Sequence, residues 1–157
     1  MAFNTSIQSR PGHLLVELPL LDHFFTLSSL HRSGTCSTLL PSCILVPKNS
    51  KEVAVIVKVL RANNESFGIK SGGHNPNAGF ASILDGPQIS LKALTHVTYD
   101  AESKTANIGP GNKWSDVTKK LEPYGVAVVS GRVGHVGVGG YLMGGKRDMA
   151  TCYRVLR

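Results

Sequence analysis

Residues 67–79 read FGIKSGGHNPNAG: a short apolar run, then Lys70, Ser71, two glycines, His74, and a loop of Asn, Pro and Gly. An apolar run that breaks directly into glycines is a strand delivering bare backbone to its own end. Without a Cβ the chain can take positive φ and bring peptide N–H groups against a bound molecule. Successive N–H groups in such a turn form a nest for an anion. Ser71-Gly72-Gly73-His74 therefore suits a phosphate, with the Ser71 hydroxyl as an added donor. A plain strand-end turn carrying an exposed histidine is the alternative.

Upstream, "CILVP" is an apolar strand candidate closed by Pro47. Asn49 and Glu52 have the spacing of a capping box. Val53, Ile56, Val57 and Leu60 then fall at i, i+3, i+4 and i+7, which predicts a helix to about Ala62. With "FGIK" as the second strand this is a β–α–β unit, the arrangement that yields a parallel strand pair. Downstream, "SILDG" predicts a short strand, and "HVTYD" and "TANIG" around "AESK" predict an antiparallel hairpin. Trp114, Val117 and Leu121 predict a short helix, and "VAVV" a further strand. Residues 1–40 show no sustained period beyond one short helix around Leu20–Leu30, and the chain contains no internal repeat.

Seven glycines lie between Gly131 and Gly145, a density that implies a local backbone requirement. Two named motifs nearly fit. Gly137-x-Gly139 opens a dinucleotide fingerprint, but Leu142 stands at the third glycine. Gly140, Gly145 and Lys146 match a P-loop, but Arg147 replaces the Ser or Thr that would hold magnesium.

Composition bounds the rest. With 157 residues, 41% hydrophobic and 17% charged, the chain is that of one globular domain. Its net charge of +7 does not mark a nucleic-acid module. The last twelve residues hold four basic residues and one acid, and elsewhere the cations are dispersed without a stripe of aromatic and basic side chains. Cys36, Cys43 and Cys152 fit neither a disulfide framework nor a zinc spacing, so no metal site is expected. Free thiols are the plainer reading, with a Cys36–Cys43 bridge as the alternative. No apolar run approaches the ~20 residues of a membrane span, and Glu17 and Pro19 interrupt "HLLVELPLLDHFF" before a clear signal peptide forms. The compartment stays open. No Ser/His/Asp or Cys/His arrangement and no acid–base carboxylate pair is present.

The pieces "PSCILVP", Glu52-Val53, "GIKSGGHNPNAG", "ILDG", "LKALTHVTYDAESKTANIGPG" and "WSDVTKKLEPYGVAVVSGRVGHVGVGGYLMGG" stand in one order and spacing. Across residues 41–145 they resemble the N-terminal portion of the FAD-binding domain of fungal FAD-linked oxidoreductases. These form the berberine-bridge-enzyme-like branch of the vanillyl-alcohol-oxidase, or PCMH-type, superfamily. The resemblance implies an α+β fold, a β–α–β unit plus a small mixed sheet. It divides the chain into an unassigned segment 1–40, a partial PCMH-type domain 41–145, and a basic tail 146–157 outside the family pattern. Relatives continue into more of the FAD domain and a substrate domain, so a truncated chain is expected.

The resemblance also implies a cofactor, FAD, and residues that hold it: Ser71, Gly72, Gly73, His74 and Asn75 in the first loop, and Gly131, Gly134, Gly137, Gly139 and Gly140 in the second. In the family the first loop lies along the flavin pyrophosphate, and its histidine is often bonded to the flavin 8α-methyl, which makes His74 the expected attachment point. Some relatives attach the flavin again through a cysteine in the second segment, where this chain has Val133. His135 could touch the flavin, and Gly109-Pro110-Gly111 is expected to be a structural turn. The two loops are expected to face one another across a single groove, with Gly73 and Gly139 on one concave surface. The implied reaction passes a hydride from a small organic substrate to flavin N5, with dioxygen as acceptor. Its catalytic residues are unknown from this chain. A non-catalytic remnant that binds nucleotide or a partner chain is the alternative. Relatives are often secreted, and the oligomeric state is open.

Overall fold

A parallel sheet and an antiparallel hairpin, each backed by a helix, carry the two glycine loops. The structure, a computed structural model, describes residues 38–144 and the backbone of two short paired strands, β1 (Gln8–Arg10) and β2 (His13–Leu15). The expected helix around Leu20–Leu30 and the basic tail lie outside the described residues.

The parallel sheet contains β3 (Cys43–Leu45), β4 (Gly68–Lys70) and β5 (Pro87–Ser90), in the order β3-β5-β4. Helix α1 (Ser50–Ala62) connects β3 to β4. The β–α–β unit is present, but its two strands do not touch: β5 inserts between them and pairs in parallel with both. The expected strand in "SILDG" is displaced to "PQIS". Asp85 sits at φ +55, which no ladder residue adopts, and the strand starts at Pro87, where the missing N–H is tolerated. As the middle strand, β5 is buried along its whole length.

Helix α1 starts as the sequence indicates. Asn49 Oδ1 accepts from the Glu52 N–H at 3.0 Å, and Glu52 Oε2 accepts from the Lys48 N–H at 2.7 Å, one residue before the usual reciprocal position. Its apolar stripe places Ile56 and Leu60 against Ile89 of β5, with Leu45, Val57, Phe67 and Leu91 around them. Each such fully buried side chain contributes roughly 1.5–3 kcal/mol.

Strands β6 (Val97–Asp100) and β7 (Thr105–Ile108) form the expected hairpin. Asp100 closes its turn by accepting from the N–H of Glu102 and from the Ser103 hydroxyl, and Lys104 takes φ +54. Helix α2 (Trp114–Leu121) lays Trp114, Val117 and Leu121 on this hairpin, and Val138, from the short helix α3 (Val138–Met143), completes that core. "VAVV" is not a strand. Val126 and Val128 alternate onto the Trp114 core, but their backbone has no ladder partner among the described residues. Cys43 is a free thiol whose pKa is pushed up by burial.

Candidate functional site

Strand β4 ends at Lys70 and hands the chain directly to Ser71, Gly72 and Gly73. These residues lie at the carboxyl end of a parallel sheet, the side on which open α/β sheets place ligands. Gly73 turns the chain at φ +64, a conformation that only glycine adopts without strain. The N–H groups of Gly72 and Gly73 meet no acceptor among the described residues.

The second loop reaches this turn because residues 112–115 hold it. The Asn112 carbonyl accepts from the Val138 N–H at 2.9 Å, Trp114 N–H donates to the Val136 carbonyl at 3.1 Å, and Ser115 N–H donates to the Gly134 carbonyl at 2.8 Å. Asn112 is itself buried and fixed: its amide nitrogen donates to the carbonyls of His96 and Gly109, and its side-chain oxygen accepts from Lys120 Nζ. The Gly109-Pro110-Gly111 turn is packed as tightly as its expected structural role requires. A Cβ at Gly109 or Gly111 would collide with the carbonyls of Leu94 or Leu91.

The two loops meet backbone to backbone. A Cβ on Gly72 would lie 2.5 Å from Gly137 Cα, and one on Gly139 would lie 3.2 Å from Ser71 Cβ. They therefore face one another in direct contact at Gly72 and Gly137. The physical reason is the missing Cβ on both sides. Glycines read as making room for a ligand are here first making room for each other.

The remaining expected site residues divide by surroundings. A Cβ at Gly131 would press on Trp114 Cδ1 and on Tyr141 at 3.2 Å, and one at Gly134 would press on Ser115 Cβ at 3.1 Å. Those two glycines fit the second loop onto α2. Gly140 faces open space, with no heavy atom within 4 Å of a built Cβ. Asn75 Oδ1 accepts from the Asn77 N–H at 2.9 Å and shapes the loop after the turn. The Ser71 hydroxyl donates to the Pro110 carbonyl at 2.6 Å. A hydroxyl has one proton, so in this conformation Ser71 does not supply the anion donor that its sequence position suggested.

Two features beside the turn add chemistry. Lys70 lays its side chain against Gly73, whose Cβ would lie 2.8 Å from Lys70 Cε. Burial pushes the Lys70 pKa below the ordinary lysine value, and the charge of Lys92 adds to that shift. A half-buried ammonium with a second cation nearby is relieved by an anion. His74 and His135, one from each loop, bring their rings to a centroid separation of 4.8 Å, tilted by 35°. Sequence reading passed over Lys70, Asn112 and this pairing. Lys70 and Asn112 each flank a glycine turn, which was the available signal; the pairing depends on tertiary structure. Among the described residues no group of three or more His, Cys, Asp or Glu is placed to hold a metal, and no helix is long and apolar enough to cross a membrane.

Comparison with known proteins shows the family and the fold. The family model described as "FAD binding domain" matches residues 41–151. An uncharacterized FAD-linked oxidoreductase of Arthroderma benhamiae is 40% identical over 131 residues, which is 83% of this chain and 26% of that protein. The FAD-dependent monooxygenase macF of Penicillium terrestre is 42% identical over 113 residues, covering 71% and 22%. Among solved structures, 6-hydroxy-D-nicotine oxidase of Arthrobacter nicotinovorans superposes with a TM-score of 0.59 at 31% identity, covering 63% of this chain and 22% of that one. Physcomitrella patens BBE-like 1 shares the fold, with a TM-score of 0.64 at 20% identity, covering 71% and 24%. The chain thus spans about a quarter of the length of the curated relatives it matches.

Proposed function

This chain belongs to the FAD-binding-domain family, and from that premise we propose that it is the FAD-holding part of a flavin-dependent oxidoreductase, with the junction of its two glycine loops as the cofactor site. The observation that carries the reading is the first turn. The N–H groups of Gly72 and Gly73 lack acceptors among the described residues and stand beside the half-buried Lys70. Two backbone donors and an ammonium fit one pyrophosphate, so the residues present suit FAD.

Bound there, FAD supplies hydride acceptance from a small organic substrate and electron delivery to dioxygen. The chain's own residues do the rest of the holding. Gly73 would present the backbone to the phosphates, Asn75 shapes the loop beyond it, and His74, directly after the turn, is the group we assign to covalent attachment at the flavin ring edge. Val133 offers no thiol for a second bond. Gly131 and Gly134 seat the second loop on α2, Gly137 and Gly139 clamp it to the first, and Gly140 lies on its open side. No residue of this chain is assigned the role of base in the oxidation of the substrate.

The test is acid precipitation of the 157-residue chain after incubation with FAD. The wild type keeps yellow flavin in the pellet, and His74→Ala releases it. Flavin that stays covalently bound in His74→Ala overturns the attachment assignment.

A second reading, a non-catalytic chain that holds nucleotide or another chain, is favoured by large exposed apolar side chains: Met143 is 90% exposed, and Phe80 and Leu142 also face out. Oxygen uptake above that of free flavin, measured with FAD and a panel of alcohols and sugars, would exclude it.

A further inference from the structure

We infer that His135 is a positioning residue that takes the imidazole proton of His74 when His74 bonds to the flavin; this rests on the reading of His74 as the attachment point. The two histidines are far apart in sequence and come from different loops, yet their rings lie 4.8 Å apart. The placement is built. His135 sits in a turn closed by the Val136 N–H on the Val133 carbonyl at 3.1 Å, and α2 grips both sides of it through the Gly134 and Val136 carbonyls. The backbone that carries the other ring is held because Gly72 abuts Gly137, only two residues beyond His135, and Gly73 then turns the chain into His74. Neither loop can shift without breaking a backbone contact.

The bond-forming step calls for such a neighbour. Joining an imidazole nitrogen to the 8α carbon breaks one C–H bond of the methyl group and one N–H bond of His74, and forms one C–N bond. Two protons and two electrons leave the pair. The electrons pass through the flavin to dioxygen, which takes them up with two protons as hydrogen peroxide, one molecule per bond formed. The N–H proton of His74 needs an acceptor within reach, and the His135 imidazole, with its ring centroid 4.8 Å away on the facing loop, is the neighbouring base that one bridging water would connect to it. An imidazole in place of bulk water supplies the base locally, as general-base partners do for other nucleophiles.

The test follows the rate at which acid-stable flavin appears on the full chain in air at saturating FAD, by mass spectrometry, so that any change in reversible binding is separated from the covalent step. His135→Phe keeps a ring against His74 but cannot accept a proton; attachment is expected to slow by about 10²-fold or more. His135→Ala is expected to slow similarly and to recover when free imidazole is added, a response that a packing role would not give. His135→Phe attaching flavin at the wild-type rate, or no rescue of His135→Ala, overturns the proposal while leaving His74 as the attachment point. A wild-type chain that attaches no flavin overturns the attachment reading first and this proposal with it.

Discussion

Adding one methyl group at Gly137 tests whether the loop junction is the structural centre of the site. In Gly137→Ala the new Cβ would stand 2.6 Å from Gly72 Cα and 2.9 Å from Ser71 Oγ. Carbon atoms rest at about 3.5–4.0 Å, so the loops must part by about 1 Å. Gly137 has φ −73 and ψ 139, which alanine adopts freely, so backbone strain contributes nothing and the whole cost is steric. Overpacking of this kind costs about 1–3 kcal/mol, and a less flexible unfolded chain returns about 0.4–1 kcal/mol. The net expectation is a loss of about 1–2 kcal/mol, together with weaker FAD binding, because the Gly72–Gly73 turn is displaced. Gly140→Ala is the control: it lies within α3 facing open space, and should stabilise by about 0.5–1 kcal/mol. Urea unfolding reads both as midpoint shifts at constant slope. A Gly137→Ala chain as stable as wild type, or a Gly140→Ala chain equally destabilised, refutes the contact.

Asn49→Ala removes the N-cap of α1 and should lower stability by about 1 kcal/mol in the same urea assay. Asn112→Ala strips partners from the His96 and Gly109 carbonyls and from Lys120, so about 1–3 kcal/mol is expected, with loosening of the second loop visible as faster amide exchange at Val138. Lys70→Met bears on pH. The folded-state pKa of Lys70 is depressed, so just below the ordinary lysine value the unfolded chain binds more protons than the folded one, and stability rises with pH there. Unfolding curves across that alkaline window should show a rising contribution in wild type that Lys70→Met lacks; identical profiles would show that Lys70 titrates alike in both states.

Local signals carried most of the fold. The Asn49–Glu52 pair and the Val53, Ile56, Val57, Leu60 stripe defined α1, and the polar "AESK" turn defined the hairpin, because both depend on neighbours in sequence. The errors came where tertiary context decides. "PQIS" reads poorly as a strand, with Pro first and Gln second, yet it is the buried centre of the parallel sheet. "VAVV" reads well and has no pairing partner among the described residues. At the site, glycine density marked both loops correctly but not what each glycine does: Gly72 and Gly137 face each other, Gly131 fits the indole of Trp114, and Gly140 faces open space. Ser71 illustrates the limit, since only the folded chain brings the Pro110 carbonyl to its hydroxyl.

The central claim, that the turn after β4 is the anion-binding part of an FAD site, is tested most directly by titrating the 15N-labelled chain with FAD and following backbone amides by NMR. Binding is expected to move the Gly72, Gly73 and His74 amide protons downfield, as donors engaging phosphate, and to perturb the neighbouring second-loop amides of Gly137 and Gly139 less. Saturation of FAD binding with those amides unmoved, or the absence of any binding, would contradict it.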